Sequence, residues 1–157
     1  MSIKPIKLKS LLLFVGATLA VGGIGALLGG RTSEIYATLV KPPLAPPPSV
    51  FGIVWGVLYV LIGIGAYILS SEKSELVPTA LKLYWAQLFF NMLWPLIFWR
   101  LELFTLAAFW LGIILILTIL LIAVSAKINT AAVWLFLPYL AWLIFALYLN
   151  IGFAVLN

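Results

Sequence analysis

Two amides are the side chains best placed to do chemistry in this chain. Gln87 and Asn91 stand four residues apart in an apolar stretch, so on a helix they share one face. Trp94 and Phe98 continue that face. Such a stripe sets donors and acceptors beside large rings, which suits either hydrogen bonding between helices or contact with a ligand. Two further stripes accompany it. Phe51, Trp55 and Tyr59 follow an i, i+4, i+8 spacing, and Trp134, Pro138, Trp142, Phe145, Ala146 and Leu149 line one side of a later segment, with Asn150 near its edge. The missing residue types narrow the chemistry. The sequence has seven Trp, no His, no Cys and no Asp. Metal ligation by His or Cys, thiol chemistry and Ser-His-Asp catalysis are therefore excluded, and no metal site is expected. Haem iron usually takes His, Cys, Met or Tyr, and the one internal methionine is Met92. If a tetrapyrrole binds here its metal need not be ligated, and the ring itself would be recognised.

The elements that must position these residues are membrane helices. The chain is 66% hydrophobic and only 8% charged, against roughly a quarter charged in a soluble domain. Apolar runs of this length read as transmembrane helices. Five spans are expected, at about 10–30, 49–70, 79–99, 104–126 and 130–156, with Ser49 capping the second; boundaries are good to about three residues. The fold class is thus an all-α integral membrane protein, a bundle of five transmembrane helices in one domain over residues 1–157. Short loops at 71–78, 100–103 and 127–129 force antiparallel neighbours. The long loop, 31–48, holds Pro42, Pro43, Pro46, Pro47 and Pro48, which lock φ and remove donors. It is expected to be stiff, extended and non-helical, a lid over a binding site.

Charge sets the orientation. Lys4, Lys7, Lys9, Lys73, Lys82 and Lys127 fall on the side of the N-terminus, and Arg31, Lys41 and Arg100 on the other. The excess favours a cytoplasmic N-terminus with loop 31–48 outside. The net charge of +5 is scattered over loops, so no nucleic-acid partner is expected. The first hydrophobic segment reads as a retained helix and not a cleaved signal.

Antiparallel threading brings the start of the second helix and the ends of the third and fifth to the membrane face that carries the proline loop. Trp85, Trp99, Trp110 and Trp134 fit an interfacial belt or packing. Asn91 and Trp142 lie deeper. A pocket below the proline loop, walled by the second, third and fifth helices, accounts for Trp55, Trp94 and Trp142 around Asn91. Gly25/Gly29 and Gly52/Gly56 form two GxxxG patterns, suited to close helix packing within the chain or between two chains.

The segment Tyr36 to Pro47, with Lys41, Pro42, Pro46 and Pro47, leads into Phe51-Gly-Ile-Val-Trp55-Gly-Val-Leu-Tyr59. Then come Asn91-Met-Leu-Trp94-Pro-Leu-Ile-Phe98 and Trp134-Leu-Phe-Leu-Pro138-Tyr139-Leu-Ala-Trp142-Leu-Ile-Phe145-Ala146-Leu-Tyr-Leu-Asn150. Three separated motifs in this order resemble the translocator protein family, also called tryptophan-rich sensory protein or peripheral benzodiazepine receptor. The resemblance implies a pocket capped by the first loop, usually in a homodimer. It implies binding of porphyrins such as protoporphyrin IX and of hydrophobic synthetic ligands, with no obligatory cofactor. The matched pocket positions are Tyr36, Trp55, Asn91, Ile97, Trp142 and Ala146, to which the helical stripes add Trp94, Phe98 and Phe145. Lys41, Pro42, Pro46 and Pro47 would form the lid. Many members carry an aromatic where this chain has Ile35 and another where it has Leu44, so this lid is less aromatic. The resemblance also implies light-dependent porphyrin breakdown through indole radicals, for which Trp55 and Trp142 are the catalytic candidates. Tetrapyrrole sensing, transport or breakdown in a bacterial cell membrane is the leading expectation. The alternatives are passive transport of a small lipophile and a ligand-gated regulator that signals through a partner.

Overall fold

The computed structural model describes residues 6–157, so Lys4 lies outside the described residues. The described chain is all helical. Its elements are α1 (Leu8–Gly29), α2 (Thr32–Thr38), α3 (Pro48–Ser70), α4 (Val77–Pro95) with a π-helical turn Leu96–Arg100, α5 (Phe104–Ser125) and α6 (Thr130–Leu156). Four of these, α1, α3, α5 and α6, are long and apolar enough to cross a bilayer. α4 has 19 residues and carries Lys82, Gln87 and Asn91 within them.

The five long helices close into a ring. α1 packs on α3 and α4, α4 on α5, α5 on α6, and α6 returns to α3. Side chains from α3, α4, α5 and α6 therefore meet in the middle, where Tyr84, Tyr139, Phe136 and Leu143 are fully buried. Glycines set how closely the ring closes. A Cβ at Gly63 of α3 would lie 2.9 Å from the Val15 Cα of α1, and one at Gly65 would lie 2.7 Å from the Phe136 ring of α6. The Gly25/Gly29 pair serves the seam between α1 and α4, since Cβ atoms there would lie 3.2 Å from the Met92 carbonyl oxygen and 3.1 Å from the Pro95 Cβ.

Three expectations are corrected. Loop 31–48 is not wholly extended, because Thr32–Thr38 forms α2. All five prolines fall at 42–48, leaving the first half of the loop free to wind, with an Arg31–Glu34 ion pair at 3.2 Å on its exposed side. Ser49 is not the cap of α3. Pro47 is the N-cap residue and Pro48 opens the helix, a first-turn position where a missing N–H costs nothing. The third expected helix does not run evenly to residue 99. Pro95 has no N–H to return to the preceding turn, and the chain widens into the π turn, with the Leu101 N–H bonding the Leu96 carbonyl at 3.0 Å.

Candidate functional site

The π turn shapes the site. In a regular helix, residues five apart diverge by about 140°. The widened turn brings Trp94, Phe98 and Trp99 into one cluster, with Phe98 stacked on Trp94 at 4.9 Å and set against Trp99 at 4.5 Å. Beside it lies a cavity of about 480 Å³, between α1, α2, α3 and α4. That volume falls in the ~300–1,000 Å³ range of small-molecule sites. Its rings come from Tyr36, Phe51, Trp55, Tyr59, Trp94 and Trp99, and its buried amide from Asn91. A second, narrow cavity of about 20 Å³ lies on the α6 side, where Phe98, Trp142, Ala146 and Asn150 line it. Phe51, Trp55, Trp94 and Trp99 border both spaces and form an aromatic partition between them.

Asn91 is held firmly. Its Oδ1 accepts from the Tyr59 hydroxyl at 2.7 Å and its Nδ2 donates to the Tyr139 hydroxyl at 2.7 Å. Tyr139 donates in turn to Gln87 Oε1 at 2.7 Å. This chain ties α3, α4 and α6 in the buried middle of the bundle. It presents Asn91 at the cavity wall with one amide proton and one lone pair uncommitted.

The indoles divide by their N–H groups. Trp94 donates to Asn150 Oδ1 at 3.0 Å, and Trp110 donates to the Phe90 carbonyl at 2.7 Å. The buried Trp142 Nε1 has no partner among the described residues. Its ring meets Phe51 and Trp55 edge-on at 6.1 and 6.5 Å. Trp85 and Trp134 are 44% and 68% exposed, as a belt or packing role requires.

This geometry accompanies a clear kinship. A sequence profile of the TspO/MBR family matches residues 14–156. The chain belongs to the TspO/MBR family. A translocator protein of Bos taurus is 37% identical over 150 residues, covering 87% of this chain and 85% of that protein. A tryptophan-rich protein TspO of Chlorobaculum tepidum is 34% identical over 157 residues, covering 94% of this chain and 96% of that protein. A tryptophan-rich sensory protein of Cereibacter sphaeroides is 33% identical over 149 residues, with 93% and 90% covered. The chain is an integral membrane protein by this kinship and by its apolar helices.

In this family member the expected site residues fall into three groups. Tyr36, Trp55, Asn91 and Trp94 line the larger cavity. Phe98, Trp142 and Ala146 line the smaller one, which Trp55 and Trp94 share. Ile97 and Phe145 line neither. Ile97 is buried beside Tyr36 and Phe98, and Phe145 backs the Trp142 ring at 5.5 Å. The larger cavity is thus walled by α1 and α2, where the sequence pointed to the fifth span.

Lys41, Pro42, Pro46 and Pro47 line neither cavity; they fasten the loop. The Lys41 ammonium lies 5.0 Å from the centre of the Tyr36 ring. Pro42 packs against Gly152 of α6. The Pro46 carbonyl accepts from the Tyr36 hydroxyl at 2.6 Å. Burial pushes the Tyr36 phenol above its usual pKa.

Sequence reasoning missed Trp99, Gly22, Gly23, Gly52 and Gly56 as lining residues. Trp99 was assigned to the belt because the π turn is not visible in hydrophobic periodicity. Pro95 four residues earlier was the available signal. The glycines were legible as a pattern, but not as the place where a wall is missing.

Proposed function

We propose that this family member is a membrane receptor for protoporphyrin-type tetrapyrroles and related flat hydrophobic ligands. The observation that carries this reading is the 480 Å³ cavity, whose wall is aromatic and apolar around one buried amide. A flat π-system gains dispersion and stacking on Trp55, Tyr59, Trp94 and Trp99. Asn91 supplies one orienting hydrogen bond. The unpaired Trp142 N–H would be satisfied by a ligand acceptor once the Trp55 side of the partition gives way. The names of the relatives, translocator and sensory protein, accord with a ligand-handling role. A titration with protoporphyrin IX, read by absorbance and tryptophan quenching, tests the reading. Saturable quenching is expected, and its absence would contradict the proposal.

In this reading all five long helices cross the membrane. α4 and its π turn run from Val77 to Arg100, roughly 35 Å of helix against a hydrocarbon core of about 30 Å. The N-terminus is cytoplasmic, the 31–48 loop is outside, the membrane is a bacterial cell membrane and the working unit is a homodimer. Receptor function is favoured over passage through the protein by the contact between Gly22 and Tyr59. A Cβ at Gly22 would collide with the Tyr59 ring, so α1 and α3 meet there and floor the cavity. Light-dependent breakdown of bound porphyrin is a second reading. It is favoured by the 6.5 Å spacing of the Trp55 and Trp142 rings, close enough for an indole radical to pass between them. Illumination of the complex tests it. Decay of the porphyrin bands no faster than in free porphyrin would remove it.

A further inference from the structure

The larger cavity is bounded by α1, α2, α3 and α4. The Gly25/Gly29 seam seals it between α1 and α4. The proline loop is strapped down on the α6 side. The Asn157 side chain takes the Val40 N–H at 2.9 Å and gives to the Val40 carbonyl at 3.1 Å, and the Tyr148 hydroxyl donates to the Pro43 carbonyl at 2.9 Å. Above the Gly22–Tyr59 contact, toward the loop end, α1 and α3 leave a gap in the wall. Leu19, Gly23 and Ala26 of α1 and Gly52 of α3 line the cavity and are exposed at the same time. Cβ atoms at Gly23, Gly52 and Gly56 would meet nothing within 4 Å. The gap is therefore a slot. It starts beside Ser33 and Pro48 at the loop end and runs down to the Gly22–Tyr59 contact, seven residues back from the end of α1, with the exposed Leu19 at its lower lip. At 1.5 Å per residue that is roughly 10 Å along the helix. Its rim below Thr32 and Ser33 has no polar side chain, so it presents no barrier to an apolar molecule and no attraction for a dissolved ion.

We propose that ligands reach the site sideways from the bilayer, through this glycine-edged slot between α1 and α3, while the proline loop stays strapped. The inference rests on the receptor reading and adds its ligand class: amphiphiles that dissolve in the lipid first, rings entering the hydrocarbon level of the slot and polar ends left near Thr32 and Ser33. Gly23, Gly52 and Gly56 then decide how wide a molecule is admitted.

The chain has no native cysteine, which makes a reversible test simple. One variant carries Gly23→Cys and Gly52→Cys, on the two sides of the slot. A second carries Val40→Cys and Asn157→Cys, which pin the loop to α6. Both are reconstituted in phosphatidylcholine vesicles and bridged with a disulfide-containing bifunctional thiol reagent. Loading of protoporphyrin IX from the same vesicles is followed by tryptophan quenching. The slot bridge should slow loading by roughly tenfold or more, with recovery after reduction, and the loop bridge should leave the rate unchanged. Slowing by the loop bridge alone, or by neither bridge, overturns the slot. Failure of the unbridged proteins to show any saturable quenching would instead remove the receptor reading, and the slot with it.

Discussion

At the scale of single residues, the amides and indoles have separate tasks. Tyr139 holds both Asn91 and Gln87, so Tyr139→Phe leaves two buried amides short of a partner. A loss of about 1–3 kcal/mol is expected, read as a lower melting temperature in detergent. Trp142 behaves oppositely. Its N–H has no partner to lose, so Trp142→Phe should cost little stability beyond the smaller ring. It should weaken porphyrin binding several-fold, as expected for one neutral hydrogen bond of about 0.5–1.5 kcal/mol. Equal affinity in wild type and Trp142→Phe would remove that hydrogen bond from the account. Asn91, Trp55 and Trp94 were readable as cavity residues from helical spacing alone, because they lie on the regular part of their helices. Trp99 was not, because its direction depends on the π turn after Pro95.

At the scale of elements, glycines of one residue type do two different things. Gly63 and Gly65 stand where helices touch, and an added methyl would meet the α1 backbone or the Phe136 ring. Gly63→Ala and Gly65→Ala should each destabilise by about 1–3 kcal/mol through overpacking. Gly52→Ala and Gly56→Ala meet nothing and should be neutral or stabilising by about 0.5–1 kcal/mol, because alanine favours the helix. Thermal unfolding of the four variants separates the classes, and a uniform response would contradict the packing described. The sequence made the long spans legible through their apolar length. It did not reveal α2, since seven residues between a proline run and a glycine carry too short a pattern to read. Nor did it reveal that the loop is tied to α6, because that depends on Gly152, Tyr148 and Asn157, far away in the chain.

At the scale of the whole molecule, the ring of helices surrounds a site with no group that titrates near neutral pH. The chain has no His, the cavity carries no carboxylate or amine, and burial raises Tyr36 further above its usual range. Porphyrin affinity should therefore be flat from about pH 6 to 8 on the protein's account. A steep change across that window, in a ligand analogue lacking carboxylates, would contradict this. The membrane class and the family followed from composition and from three ordered motifs. The location of the larger cavity against α1 and α2 did not, because α1 contributes only Leu19, two glycines and an alanine there and no recognisable motif.

The central claim is that the ligand occupies the space beside Gly56, and one comparison tests it most directly. Gly56→Phe fills the cavity wall, whereas Gly112→Phe adds the same ring on α5 at a glycine that also has open space and lies outside both cavities. In equilibrium protoporphyrin IX titrations, Gly56→Phe should raise Kd by roughly tenfold or more, about 1.4 kcal/mol, while Gly112→Phe should bind like the wild type. Equal affinity in all three proteins would contradict the account.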